Sequence, residues 1–210
     1  MGPDIQNSAL IIVDMQNDFL YPDGGLSQRA KEHPDGKIDQ EFLASIVPRV
    51  KRLAEVFREA DRPVVYIAHI VKADYSDAAF PYWKRPPLRG KKFFIVEGTW
   101  GAQIINELTP RECEHLVIKK GFGGFSNTPL DTILRNLGVN TCVVTGVTTC
   151  VCVSTTIRGG VEHNYRMIIV SNATAEIQEE MHEAELKTMA RVFAEVKTTG
   201  EVIEMLRDTK

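Results

Sequence analysis

Apolar residues fall along this chain in short, largely β-branched runs separated by longer stretches of helical period. The runs are ALIIVD (9–14), PVVYIAH (63–69), HLVIK (115–119), TCVVTG (141–146), MIIVSN (167–172) and, more weakly patterned, FAEVKT (193–198). Each has the length of a strand, and near-continuous apolar character is what a strand covered on both faces requires. Helical spacing predicts helices over about 39–60, 101–108, 128–137, 149–163 and 178–191. Strand and helix in alternation mark crossover units, so the predicted fold is a doubly wound α/β three-layer sandwich around a mostly parallel sheet. No internal repeat or low-complexity segment breaks residues 1–210, which read as one domain. The stretch DYSDAAFPYWKRPPLRGKKFF (74–94) departs from the pattern with three prolines and five basic residues, and reads as a long loop serving as a lid or an oligomer contact.

Composition narrows the function by exclusion. Hydrophobic residues make up 43% and charged residues 25% of the 210, the balance of an ordinary globular chain. A formal net charge of −3 with Lys and Arg scattered argues against nucleic acid as a partner. No apolar run approaches the roughly 20 residues of a membrane span, and no basic segment precedes the first run, so a cytoplasmic protein acting on a small molecule is expected. Cys113, Cys142, Cys150 and Cys152 then read as free thiols.

Ligands of open parallel sheets bind beyond the carboxyl ends of the strands. Asp14 closes the first run, Lys119 the third, and the turn after TCVVTG delivers the pair Cys150 and Cys152. An acid, a base and a thiol are therefore expected on one edge. Individually each has a plainer reading: a capping aspartate, a solvated lysine, a packed cysteine. Their convergence favours chemistry. A helix starting near Thr148 or Thr149, capped by either, would place both thiols in its first turn, where free amides favour thiolate. The Cys-Val-Cys element lacks the second pair of a closed metal site, and His33, His115, His163 and His182 stand at no ligand spacing from His69, which reads as a hydrogen-bonded core or crevice histidine. Residues two apart on a helix point to nearly opposite sides, which disfavours a redox pair but does not choose the nucleophile.

Three stretches, ALIIVDMQNDF, VIKKGFGGFSNTPLDTILRNLGV and TGVTTCVCVSTTIRG, resemble in order the cysteine hydrolases of the isochorismatase-like superfamily. That superfamily includes nicotinamidase, N-carbamoylsarcosine amidohydrolase, ureidoacrylate amidohydrolase and biuret hydrolase. The resemblance implies a catalytic triad of Asp14, Lys119 and Cys152, with Cys150 at a position usually polar. It also implies a cis peptide between Val147 and Thr148 and an oxyanion hole from the amides of Thr148 and Cys152. Phe19 and Phe125 become candidate pocket walls and Asn127 a hydrogen-bonding partner of the substrate; their plainer roles are core packing and capping of a helix from about Thr128. The vinyl-ether-cleaving isochorismatases lack the cysteine kept here. The Asp-x-His metal element of nicotinamidases is not preserved in AHIVKADYSD (68–77). The reaction implied is therefore cofactor-free and metal-free hydrolysis of a small linear amide, ureido or carbamoyl C–N bond through a thioester, releasing ammonia. A metal-dependent nicotinamidase-like amidase and a non-catalytic binding protein on the same fold are the alternatives. Lys84, Arg85, Arg89, Lys91 and Lys92 in the long loop would hold a substrate carboxylate, and relatives imply a homodimer or homotetramer.

Overall fold

A computed structural model describes residues 5–30, 37–79 and 94–208. Six strands, all paired in parallel, are β1 (Ser8–Val13), β2 (Val64–His69), β3 (His115–Lys119), β4 (Thr141–Val147), β5 (Arg166–Ala175) and β6 (Glu195–Lys197), in the order β3-β2-β1-β4-β5-β6. The chain winds outward from β1 in both directions, which is the doubly wound arrangement expected. Every residue of β1, β2 and β4 is buried, and this explains their unbroken apolar runs.

Two hydrophobic layers sandwich the sheet. Leu10 and Ile12 of β1 join Val50, Leu53 and Phe57 of α4 (Val47–Glu59) and Val202 and Leu206 of α8 (Thr199–Arg207). The alternate residues Ala9, Ile11 and Val13 pack with Leu130 and Leu134 of α5 (Leu130–Asn136) and Ile157 of α6 (Ser154–Glu162). The period of two along a strand divides the residues between these layers.

Several boundaries differ from expectation. The helix expected over 39–60 is two, α3 (Gln40–Ser45) and α4, divided at Ile46 with a proline in the first turn of α4. Proline fits a helix start because its missing N–H would have no partner there. The segment 101–108 forms only a 3₁₀ turn at Asn106–Leu108. The last predicted helix is α7 (Glu179–Thr188), followed by a π turn at Met189–Phe193. Three helices were not anticipated: α1 (Asn17–Leu20), α2 (Gly25–Ala30) and α8. The last carries a capping box between Thr198 and Glu201 that the spacing Thr-x-x-Glu advertises. The five basic residues of the long loop lie outside the described residues. Among the described residues, no helix is long and apolar enough to cross a membrane.

Gly146 in β4 brings the two central strands together at their carboxyl ends. Its φ is +109°, and a Cβ there would lie 2.0 Å from the Val13 carbonyl oxygen. Only glycine lets β4 pass this close beneath Asp14.

Candidate active site

Asp14 follows β1 with a left-handed φ of 51°, and its amide donates to the Ile67 carbonyl at 2.8 Å. Lys119 ends β3, two strands away, and its side chain reaches across the end of β2. Its ammonium lies 2.9 Å from Asp14 Oδ2, donates to Cys152 Sγ at 3.3 Å and donates to the Gly121 carbonyl at 3.0 Å. Three N–H groups thus have three acceptors, which fixes the head group. Asp14 and Lys119 are fully buried and Cys152 is 4% exposed.

The triad's electrostatics are those of one shared charge system. Burial raises the Asp14 carboxyl above its ordinary value, and Lys119 opposes this only in part. Burial would lower Lys119, but the adjacent Asp14 and Cys152 outweigh it and hold the ammonium charged. Burial and the Asp14 charge together drive the Cys152 thiol upward. Burial favours the neutral forms of Asp14 and Cys152, and the Lys119 ammonium favours their charged ones. Asp14 Oδ1 is buried and accepts no hydrogen bond from the described residues. A desolvated carboxylate of raised basicity beside a thiol is a proton acceptor in waiting.

Cys152 sits in a π turn, Thr149–Val153, between β4 and α6. The expected threonine cap is absent: neither Thr148 nor Thr149 caps this turn through its side chain. The Thr149 hydroxyl instead pairs with His182 Nδ1 at 2.8 Å, and His182 Nε2 lies 3.0 Å from the Ser171 carbonyl. The Val147–Thr148 peptide is cis, as the resemblance implied. Cys150 faces the other way: its thiol donates to the Met181 carbonyl at 3.3 Å and its amide to Glu176 at 2.7 Å. Burial and Glu176 push that thiol up to about 12. It is held as a neutral group outside the triad.

The remaining expectations fare unevenly. Phe19 is buried and packs edge-on against Phe94, with ring centroids 5.2 Å apart. Phe125 is buried in the core, where it stacks on His163 at 5.2 Å and packs against Tyr165. Asn127 does not cap α5. It is exposed in a left-handed turn, and the α5 amide of Leu130 donates to Thr128 Oγ1, not to Asn127. Lys120, next in the chain after Lys119, pairs with Asp77 at 2.8 Å. Asp77 also accepts from the Lys72 amide and Asp74 from the Ser76 amide, so the aspartates of AHIVKADYSD serve a local turn.

Sequence reasoning passed over the polar run Gln16, Asn17 and Asp18, all buried. Gln16 accepts from the His69 amide and donates to the carbonyls of His69 and Ala102. Asn17 donates to the Trp100 carbonyl, and Asp18 accepts from the amides of Gly25 and Ile95. The three stitch the 94–103 segment onto the mouth of the sheet. The available signal was a run of three polar residues shortly behind a buried strand. His69 reads from the sequence as a core or crevice histidine with no histidine partner. In the structure it is 3% exposed, and burial with the nearby Lys119 charge pushes its imidazole down to about 3. A ring nitrogen of His69, a carboxylate oxygen of Asp14 and Cys152 Sγ all lie within 4.8 Å of one another.

A parallel doubly wound sheet with a buried aspartate, lysine and cysteine at its carboxyl edge defines a class, the α/β cysteine hydrolases. The chain belongs to the isochorismatase family: the isochorismatase domain model matches residues 8–201. It is similar to a cysteine hydrolase from Pseudomonas syringae pv. phaseolicola 1448A, with 31% identity, 100% of this chain and 97% of that one covered, and a TM-score of 0.86. An isochorismatase family protein from Desulfovibrio vulgaris is 26% identical over 96% of this chain and 98% of its own, with a TM-score of 0.82. N-carbamoylsarcosine amidase from Thermoplasma acidophilum is 27% identical over 92% of this chain and 96% of its own, with a TM-score of 0.71.

Proposed function

We propose that this hydrolase cleaves the C–N bond of a small linear amide, ureido or carbamoyl compound through a thioester on Cys152. The observation that carries this reading is the Lys119 ammonium between Asp14 Oδ2 at 2.9 Å and Cys152 Sγ at 3.3 Å, in a fully desolvated setting.

Asp14 takes the thiol proton while Lys119 stabilises the sulfur anion that forms. The thiolate attacks the substrate carbonyl, and the amides of Thr148 and Cys152 are the donors assigned to the oxyanion. Asp14 then gives its proton to the departing nitrogen; the C–N bond breaks and ammonia, or an amine, leaves. Water deprotonated by the same carboxylate attacks the thioester, the C–S bond breaks, and the proton returns to the sulfur. Lys119 stays charged throughout and offsets part of the cost of ionising the buried Asp14.

The linear substrate class is favoured by the end of β2. The stretch that matches the nicotinamidase metal element, 68–77, does not preserve its Asp-x-His pattern, and within it Val71 is fully buried with its amide donating to the Ile95 carbonyl at 2.9 Å. The similarity to N-carbamoylsarcosine amidase points the same way. Ammonia release should be measured from biuret, N-carbamoylsarcosine, ureidoacrylate, maleamate and nicotinamide at equal concentration. Preference for one of the first four, with an acyl adduct on Cys152 in mass spectrometry, is the expected result. Preference for nicotinamide would overturn the linear class, and an adduct on Cys150 would overturn the nucleophile.

A further inference from the structure

We infer that Asp14, His69 and Cys152 form a binding site for one thiophilic divalent cation of the zinc type, and that occupation of this site shuts the enzyme down. Carboxylate, imidazole and thiol are the three donor types that such ions take, and the donor atoms lie within 4.8 Å of one another. That separation lets all three reach one ion after small side-chain adjustments, since tetrahedral ligand distances are about 2.0–2.3 Å. Asp14 Oδ1 supplies a second, independent sign. It is fully buried and accepts no hydrogen bond from the described residues, while Oδ2 faces Lys119.

This site differs from a nicotinamidase-type centre because its ligands include the nucleophile and the base themselves. Binding replaces the S–H bond of Cys152 by a metal–sulfur bond, and the proton leaves to solvent. No electron changes hands. With the thiolate and the carboxylate both committed, neither attack nor proton transfer to the leaving nitrogen can proceed. The loss of turnover rests on the function proposed above; the binding does not, and is measured without substrate.

Lys119 sets the strength of the site. Its ammonium already lies 2.9 Å from Asp14 and 3.3 Å from Cys152, so it competes with the ion for both ligands and repels it. Wild-type affinity is thereby reduced, and removing the ammonium strengthens it. A generic surface thiol would not respond in this way.

The test uses full-length protein carrying Cys113→Ser and Cys150→Ser, which removes the exposed and half-buried thiols. Cobalt(II) is titrated and its thiolate charge-transfer absorption recorded, and zinc affinity follows by competition. One equivalent should bind. Cys152→Ala should abolish the band, His69→Ala should weaken binding at least tenfold, and Lys119→Ala should tighten it at least tenfold. A band that survives Cys152→Ala, an affinity unmoved by His69→Ala, or weaker binding in Lys119→Ala would each overturn the assignment. Anomalous diffraction from zinc-soaked crystals of the unmutated protein decides the matter where a variant does not fold. A peak among the three side chains supports the site; a peak elsewhere, or none, refutes it. Metal bound as described without loss of amidase turnover would refute the inhibitory role alone.

Discussion

Cys150 and Cys152 share one turn and one functional group but not one environment. Cys152 faces an ammonium and a carboxylate, whereas Cys150 faces a backbone carbonyl and lies near Glu176, which keeps it protonated. Replacing Cys152 with Ala should therefore reduce kcat by at least about a thousandfold, the scale of losing a nucleophile. Cys150→Ser should keep a substantial fraction of turnover. Steady-state kinetics on the two purified variants checks both. At Gly146 the constraint is steric: a methyl group would stand 2.0 Å from the Val13 carbonyl oxygen at a φ of +109°. Gly146→Ala should cost at least about 3 kcal/mol in denaturant unfolding, because the obstacle is backbone and cannot rotate away. The choice of Cys152 as the proposed nucleophile came from the resemblance to known hydrolases, because residue spacing left both cysteines open.

Among the elements, the edge strand β3 has the most exacting task, since it carries Lys119 with only one neighbouring strand to hold it. It alternates exposed Leu116 and Ile118 with buried Val117 and Lys119. A clamp just before it compensates: Arg58 of α4 donates through two nitrogens to Glu114, at 2.7 and 2.8 Å, and to the Tyr66 hydroxyl. Burial would raise the Glu114 carboxyl, but the Arg58 hydrogen bonds and the Arg111 amide outweigh it and hold it below 4.5. Because the folded value is depressed, this stabilisation is complete above the unfolded value and disappears as pH falls through the folded one. Glu114→Gln should therefore destabilise the protein by about 1–3 kcal/mol near neutrality. The gap from wild type should close as the medium is acidified below about pH 4. Unfolding of both proteins across that range is the measurement. This clamp was not legible in the chain, because Arg58 and Glu114 are 56 positions apart.

At the scale of the whole molecule, the sheet order turns distant residues into neighbours. The edge β3-β2-β1-β4 gathers Lys119, His69, Asp14 and the Cys152 turn at the ends of four adjacent strands. A site assembled this way supplies its own cation in Lys119, so turnover should survive exhaustive treatment with EDTA, or rise if zinc had been present. Loss of activity on chelation, with recovery on adding a divalent metal, would revive a metal-dependent amidase. The sequence by itself determined the six strands, the parallel winding and the edge on which Asp14, Lys119 and the turn carrying the cysteines meet. It could do so because burial on both faces writes continuous apolar runs, and because strand ends are local features. The tertiary structure alone decided which thiol faces Lys119, why Phe125 belongs to the core, how Gln16, Asn17 and Asp18 fasten the 94–103 segment, and that His69 lies beside Asp14 and Cys152. Those outcomes depend on side-chain direction and on distances of a few ångströms between residues remote in the chain. Hydrophobic periodicity averages over whole elements and carries no information on that scale.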